Sequence, residues 1–339
     1  MSTIQFSNVA AYSRSSLTFS GASEVTLLNQ TGRYIAFPSC CKIGTRLFVA
    51  YKNGTLHVDD DTTAYLALIY SDDDGVTWSS EIIIAATADR RLTNANWQNI
   101  WISAIGTRLV AFCSDYVGAT DMYSYTCYSD DLGITWSTKV QITSIYASAY
   151  ICPHSHILTL TDNTHVVACW GMISATDPTR IIIQRSTDLG VTWADYSYVD
   201  TFMSCSEFAL IRNNKGDIII RGSVLKKIYK STDELSTMIP VTSITLYTFA
   251  DPVFLKQGED IYCCGRHVLL SDSSYSLNIH KSTDGGLTWS NQEIVDAYVT
   301  GLSNGGYADF LTLSTGKIML VYYTTKATGT THLAYKISN

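Results

Sequence analysis

An eight-residue phrase recurs along this chain, at 71–78 (SDDDGVTW), 129–136 (SDDLGITW), 186–193 (STDLGVTW) and 282–289 (STDGGLTW). A worn fifth copy at 231–238 (STDELSTM) has Leu235 and Met238 where the others have Gly and Trp. The shared pattern is Ser-x-Asp-x-Gly-x-Thr-Trp, and each copy is entered by an apolar or alternating run such as 67–70 or 181–184. The copies begin at 71, 129, 186, 231 and 282, so they are 58, 57, 45 and 51 residues apart. A unit of that length cannot bury its own faces, so the units must stack on one another. A period near 50 suits a four-stranded blade, and blades stacked about an axis make a propeller.

The same grammar fills each period: an apolar strand, a short turn, a second strand, a variable loop, a third strand, then the phrase. First-and-second-strand pairs are read six times, at 37–51, 98–114, 154–170, 207–221, 252–266 and 307–323. The expected fold is therefore all-β, a six-bladed β-propeller with four-stranded antiparallel blades, occupying 1–339 as a single domain. After 307–323 only one more strand remains, at 332–337. An N-terminal strand around 25–28 would supply the missing outer strand and close the ring, removing exposed edges.

The phrase itself is structural. Its Asp accepts hydrogen bonds from nearby backbone N–H groups, its Gly supplies a positive φ, and Ser and Thr bond locally. Trp packs between neighbouring blades. A catalytic role would require a site at every copy, so these residues read as staples.

Composition limits the function classes. The hydrophobic fraction is 46%, enough for a large core, while charged residues make up only 16%. A net charge of −7 argues against nucleic acid or an anionic membrane as main partner, though a local cationic pocket stays open. The nine cysteines mostly lie in apolar runs without paired CxxC spacing, and read as buried reduced thiols. No Walker, Rossmann, zinc-finger or HExxH pattern occurs, so no cofactor or metal is expected. The N-terminus lacks the basic and apolar segments of a signal peptide, and no run approaches the ~20 apolar residues of a membrane span. A soluble protein is expected, with an extracellular or virion-associated setting left open.

The repeats resemble the Asp boxes of the sialidase superfamily, and the six-fold grammar resembles the sialidase-type propeller across nearly the whole chain. Asp boxes imply the fold alone, so function must come from residues at the inner strand ends. In SEFALIRNNKGDIIIRG, Glu207 opens the fourth blade's first strand and Arg221 closes its second. An antiparallel pair brings these ends to one rim, as a plain ion pair or as a site. The resemblance implies a general-base Glu207 and a substrate-binding Arg221. It also implies a nucleophile at Tyr307, which follows Gly-Gly at the start of the last inner strand. A phenol of pKa near 10 needs an adjacent base to act so, and Glu207 would be that base.

Arg266 (CCGRH) matches a further carboxylate clamp, where planar bidentate pairing favours Arg over Lys. The loop HVDDDTTAYLALIYS sets Asp60 11 residues before the box serine, which resembles the family's acid/base spacing. Asp59 and Asp61 are rivals, and a solvated acidic loop is the alternative. The family's Arg-Ile-Pro signature is absent; the chain has Arg33-Tyr-Ile-Ala-Phe-Pro, with Arg33 the nearest third clamp. Lys52 stands where a family Arg often follows the second strand. His154 (CPHSH) is expected to face the axis, as is His57, either as a sugar ligand or as a structural histidine. Trp97, Trp101 and Trp170 lie outside the boxes and would stack on sugars or pack the blades.

The resemblance implies a retaining exo-glycosidase of sialidase type, cleaving a terminal acidic sugar. Arg221, Arg266 and Arg33 would hold its carboxylate, with Tyr307, Glu207 and Asp60 doing the chemistry. Two alternatives remain, a non-catalytic glycan-binding propeller of a phage tail or surface structure, and a polysaccharide lyase using His154 or His57. All three take a glycan partner.

Overall fold

The structure is a computed structural model that describes residues 16–57, 61–90, 95–117, 121–147, 150–172, 179–203, 207–223, 228–241, 249–268, 275–298, 305–325 and 331–339. Its strands form six antiparallel sheets arranged as the blades of a propeller. Blade 1 comprises Tyr34–Ile43, Arg46–Gly54, Tyr65–Ser71 and Ile82–Ala85. Blade 2 comprises Asn96–Ile105, Arg108–Val117, Asp121–Ser129 and Val140–Gln141. Blade 3 has a first strand broken into Tyr150–Pro153 and Leu158–Thr159, then His165–Met172, Thr179–Ser186 and Ala194–Met203. Blade 4 comprises Phe208–Arg212, Ile218–Gly222, Ile228–Ser231 and Ile239–Val241; blade 5, Phe249–Gln257, Asp260–Val268, Tyr275–Ser282 and Ser290–Tyr298. Blade 6 is built from both ends of the chain. Gly306–Thr312, Ile318–Thr324 and His332–Ile337 take Val25–Leu28 as their fourth strand, with Val25 opposite Tyr335. The expected closure is present.

Because a blade is covered on both faces, its central strands are apolar without alternation. Leu47, Phe48, Val49, Ala50 and Tyr51 are all fully buried, as are Leu320 to Tyr323. The boxes join the third and fourth strands, and their hydrogen bonds are nearly identical. In the first, Asp73 Oδ1 accepts from Ser71 Oγ and Thr77 N, Asp73 Oδ2 accepts from Thr77 Oγ1 at 2.6 Å, and Ser71 Oγ accepts from Gly75 N. The worn copy keeps the set, with Leu235 N donating to Ser231 Oγ at 2.8 Å and Thr237 donating to Asp233. Leu235 does so at φ 69° and fully buried.

The box glycine has a second reason to be Gly. A Cβ on Gly133 would stand 2.6 Å from Leu68 of the preceding blade, and one on Gly190 2.7 Å from Val110. Each box turn is thus the point where one blade closes on the last. The Trp joins this seam: Trp193 meets Phe112 of blade 2 at 5.1 Å, an edge-to-face pair that adds about 0.5–1.5 kcal/mol beyond its burial.

Around the axis the first strands are edge strands, and their open groups are taken up by the neighbouring blade. Ile102 N donates to Ser39 Oγ, Ile157 N to Ser103 Oγ, and Phe208 N to the His154 carbonyl. Asp251 N donates to Glu207 Oε2, Arg266 Nη1 to the Gly305 carbonyl, and Cys40 N to Asp309 Oδ2. These six links join every adjacent pair of blades. The eight described cysteines are free, and all but Cys41 are buried. No helix among the described residues is long and apolar enough to cross a membrane.

Candidate active site

The inner strands are irregular where they approach the axis. Registers shift between Ala36 and Ser39, Trp97 and Asn99, Ala250 and Val253, and Gly306 and Ala308. Each shift is a bulge, which re-aims side chains that a regular strand would bury in the blade seams. Among the described residues, nine that are not glycine have positive φ. Five belong to the boxes (Asp74, Leu132, Leu189, Glu234, Leu235) and Asn163 to a hairpin turn; Phe37 (57°), Asp251 (51°) and Tyr307 (39°) lie on the axis. Phe and Tyr enter this region only at a cost, so the surrounding fold must hold them there. Pro38 and Pro252 follow two of these residues, where the axial edge leaves no ladder bond for a missing N–H to break.

The three strained residues meet. With Pro38, Asn99, Ile100, Trp101 and His154, they line a pit on the axis of about 10 Å³, room for about one water or one ligand oxygen. Tyr307 Oη donates a hydrogen bond to Glu207 Oε1. Glu207 Oε2 accepts from Asp251 N at 2.7 Å, which aims the carboxylate. Arg266 lies over the Tyr307 ring, its Cζ 5.1 Å from the centroid, and over Tyr275 at 5.4 Å. Gly306 makes this approach possible, since a Cβ there would meet the Arg266 side chain at 2.9 Å. Phe37 packs edge-on against Tyr307 at 5.2 Å, and Trp101 stands 4.9 Å from His154.

The charges follow from this packing. Burial first, then the Glu207 carboxylate, push the Tyr307 phenol well above its usual pKa, with Arg266 opposing. Burial likewise raises Asp251 well above the carboxylate range, helped by Glu207 and Asp309. Burial lowers His154, outweighing the pull of Glu207, so its imidazole is neutral at pH 7. Burial works against the Arg266 charge, but Tyr307, Tyr323, Glu207 and Asp251 more than compensate. Around the pit a phenol is thus set against a carboxylate, with a guanidinium over its ring, beside an imidazole and a carboxyl group whose charged forms burial disfavours.

Of the expected residues, Glu207, Tyr307, Arg266 and His154 come together here. Arg33 does not. Its guanidinium donates to Asn53 Oδ1, to the Asn53 carbonyl and to the Thr63 carbonyl, and lies over Tyr65. The bulge at 37–38 gives its expected axial place to Phe37. Arg221 points into the seam between blades 4 and 5. It is 1% exposed, its Cζ is 5.6 Å from the Trp289 ring, and its charge acts on Cys263 and His280. Asp60 and its rival Asp59 lie outside the described residues. Asp61 is a loop staple, accepting from Thr55 N, Leu56 N and both donors of Thr63. Burial would raise its pKa, but these bonds hold it at about 2.

Lys52 is fully buried and donates to Gln98 Oε1 and the His57 carbonyl, tying blade 1 to blade 2. The His57 ring lies against Phe37 and Tyr34, behind the pit wall. Of the three tryptophans outside the boxes, Trp101 lines the pit. Trp97 is buried with Nε1 on the Ala86 carbonyl, and Trp170 packs on Tyr150. Asp251 was not among the expected residues. Its only signal was the Ala-Asp-Pro at the head of an inner strand, parallel to Ala-Phe-Pro in blade 1.

Comparison with known proteins gives the fold's context. Residues 45–232 match the BNR repeat-like domain. No curated protein matches the chain by sequence. Among solved structures, a protein of unknown function from Dyadobacter fermentans is similar with a TM-score of 0.74 at 17% identity, covering 93% of this chain and 97% of that one. Trypanosoma rangeli sialidase is similar with a TM-score of 0.73 at 15% identity. That match covers 94% of this chain but 59% of the other, so the chain spans about three-fifths of that enzyme. The K499G mutant of NanB sialidase from Streptococcus pneumoniae has a TM-score of 0.69 at 14% identity, covering 93% and 70%.

Proposed function

The chain belongs to the BNR repeat-like domain family, and from that premise we propose that it is a retaining glycosidase of sialidase type acting on a terminal acidic sugar. The observation that carries this reading is the hydrogen bond from Tyr307 Oη to Glu207 at the axis, from blade 6 to blade 4. A buried phenol of raised pKa is a poor nucleophile until a base removes its proton. Glu207 is held against it for that purpose by the Asp251 amide. The phenolate would form a bond to the anomeric carbon as the glycosidic C–O bond breaks, and the leaving oxygen would take a proton from an acid. Water would then attack the same carbon, release Tyr307, and Glu207 would return the proton to it.

A neutral phenol suits a substrate whose own carboxylate lies beside the reacting carbon, because an anionic nucleophile would repel it before reaction. Arg266, packed on the Tyr307 ring, is the cation that stands beside the reacting phenol, where that carboxylate would lie. Trypanosoma rangeli sialidase is known in complex with sialic acid and as a covalent intermediate with 2,3-difluorosialic acid. That fold likeness supports the reading by analogy.

Hydrolysis of a fluorogenic sialoside by wild type and by Tyr307→Phe is the test. Turnover by wild type and none by the variant is expected, and Glu207→Gln is expected to lose about 10²–10⁴-fold as a general-base variant. Glycan binding without product release from any acidic-sugar glycoside would instead mean a non-catalytic binding propeller.

A further inference from the structure

A cavity of about 270 Å³ opens between blades 2 and 3, beside the third and fourth strands of blade 2. It lies at the heads of Asp121–Ser129, the third strand of blade 2, and Tyr150–Pro153, which begins blade 3. First and third strands of a blade run the same way, so these heads share the face on which Tyr307 stands near the head of Gly306–Thr312. The cavity floor is apolar, with Met122, Ile142, Ala147 and Ile151 each no more than 6% exposed. Tyr123, Gln141, Thr143, Ser144 and Tyr150 line the rest. Among the described residues, no charged side chain lines it.

One wall of this cleft is a fixed turn. Ser144 and Ala147 bridge backbone to backbone, Ser144 Oγ accepts from Tyr146 N at 3.0 Å, and Ile142 N donates to the Ser124 carbonyl at 2.8 Å. Blade 3 holds the turn from outside. Asp195 Oδ2 accepts from Ile145 N at 2.8 Å, the Thr143 carbonyl accepts from Gln184 Nε2, and Tyr146 stacks on Tyr198 at 4.2 Å. Gly171 lets the turn close in, since a Cβ there would stand 2.6 Å from the Ala147 Cβ. Tyr150 is set by Trp170, edge-on at 5.0 Å. A cleft held this way loses little freedom when a ligand fills it. Gln141 and Thr143 are exposed, so an amide and a hydroxyl are open to that ligand.

We propose that this cleft binds one neutral sugar ring, at a site separate from the axial pit. Its volume is near the lower end of ligand pockets, about 300–1,000 Å³, which suits a single ring and not a chain. A charged sugar would find no counter-charge among the lining residues. A wholly apolar ligand would strip water from the Gln141 amide and the Thr143 hydroxyl and return no hydrogen bond. A neutral sugar meets both demands. Its C–H faces suit the tyrosines and the apolar floor, and its hydroxyls suit the amide and hydroxyls beside them. No bond is made or broken there, so the site stands whether or not the axis is catalytic.

Saturation-transfer NMR on the full chain, with methyl glycosides of neutral hexoses and N-acetylhexosamines as probes, is the test. Transfer to at least one probe is expected, undiminished in Tyr307→Phe and not displaced by free sialic acid, because neither the axis nor an acidic sugar takes part. Gln141→Ala, an exposed change that leaves the core alone, should weaken that binding about 2–10-fold, the loss of one net hydrogen bond. Tyr123→Ala should weaken it further, with melting temperature as the check on folding. No transfer to any neutral glycoside, transfer lost in Tyr307→Phe, displacement by sialic acid, or an affinity unchanged in Gln141→Ala would overturn the assignment.

Discussion

Tyr307, Glu207 and Arg266 derive their properties from what touches them. Arg266 is the one guanidinium among the described residues that lies against Tyr307, while Arg33 is bound to Asn53 and Thr63 and Arg221 to the blade 4–5 seam. The three arginines therefore separate in their predicted effects. Arg266→Lys keeps a charge but loses the planar fork, and loss of a charged hydrogen bond worth about 1.5–3 kcal/mol should raise KM for an acidic glycoside by about tenfold or more. Arg33→Gln should leave kcat/KM unchanged, as steady-state kinetics would read. Arg221→Ala should lower the melting temperature, because it empties a fully buried place beside Trp289. A rise in KM for the Arg33 variant matching that for Arg266 would mean that both reach the substrate.

At the scale of the blade, the box is a self-contained device, and its chemistry sets an acid limit on stability. Hydrogen bonds from Thr135 and Ser129 hold the Asp131 carboxyl at about 2, and Asp73, Asp188, Asp233 and Asp284 are lowered as well. A carboxyl depressed in the folded state stabilises the fold above its unfolded pKa of about 3.9, and loses that contribution as pH falls toward the folded value. Melting temperature should therefore drop between about pH 4 and pH 2, and less steeply in Asp131→Asn than in wild type. The box glycines make a second prediction. Gly133→Ala meets both a left-handed backbone, about 1–2 kcal/mol, and a clash with Leu68, about 1–3 kcal/mol more, whereas Gly106→Ala at φ 61° meets open space and only the first cost. Denaturant unfolding of the two variants checks the difference.

The whole molecule depends on closure, and closure depends on four residues near one end. Removing residues up to Leu28 would leave His332–Ile337 as an open edge in blade 6, and light scattering should then report more self-association than for the intact chain. This closure was legible in the amino-acid sequence because blade 6 was one strand short. The blades were legible because a box is local, with the bonds among its Ser, Asp and Thr made within eight residues, even where Leu235 replaces Gly. The axis was only partly so. Glu207 and Tyr307 could be found because they open inner strands. Asp251 could not, because its character comes from a bulge and from burial beneath two other blades. Arg33 lies a few residues before the axial position, which the bulge at 37–38 gives to Phe37, and Arg221 follows the face that its pairing with Ala209 sets. The ring's central consequence is the meeting of Tyr307 and Glu207 across 100 residues of chain. Mass spectrometry of the protein after incubation with 2,3-difluorosialic acid measures that directly. The account predicts a single glycosyl adduct on Tyr307, absent in Tyr307→Phe; an adduct on another residue, or none from a protein that hydrolyses sialosides, would contradict it.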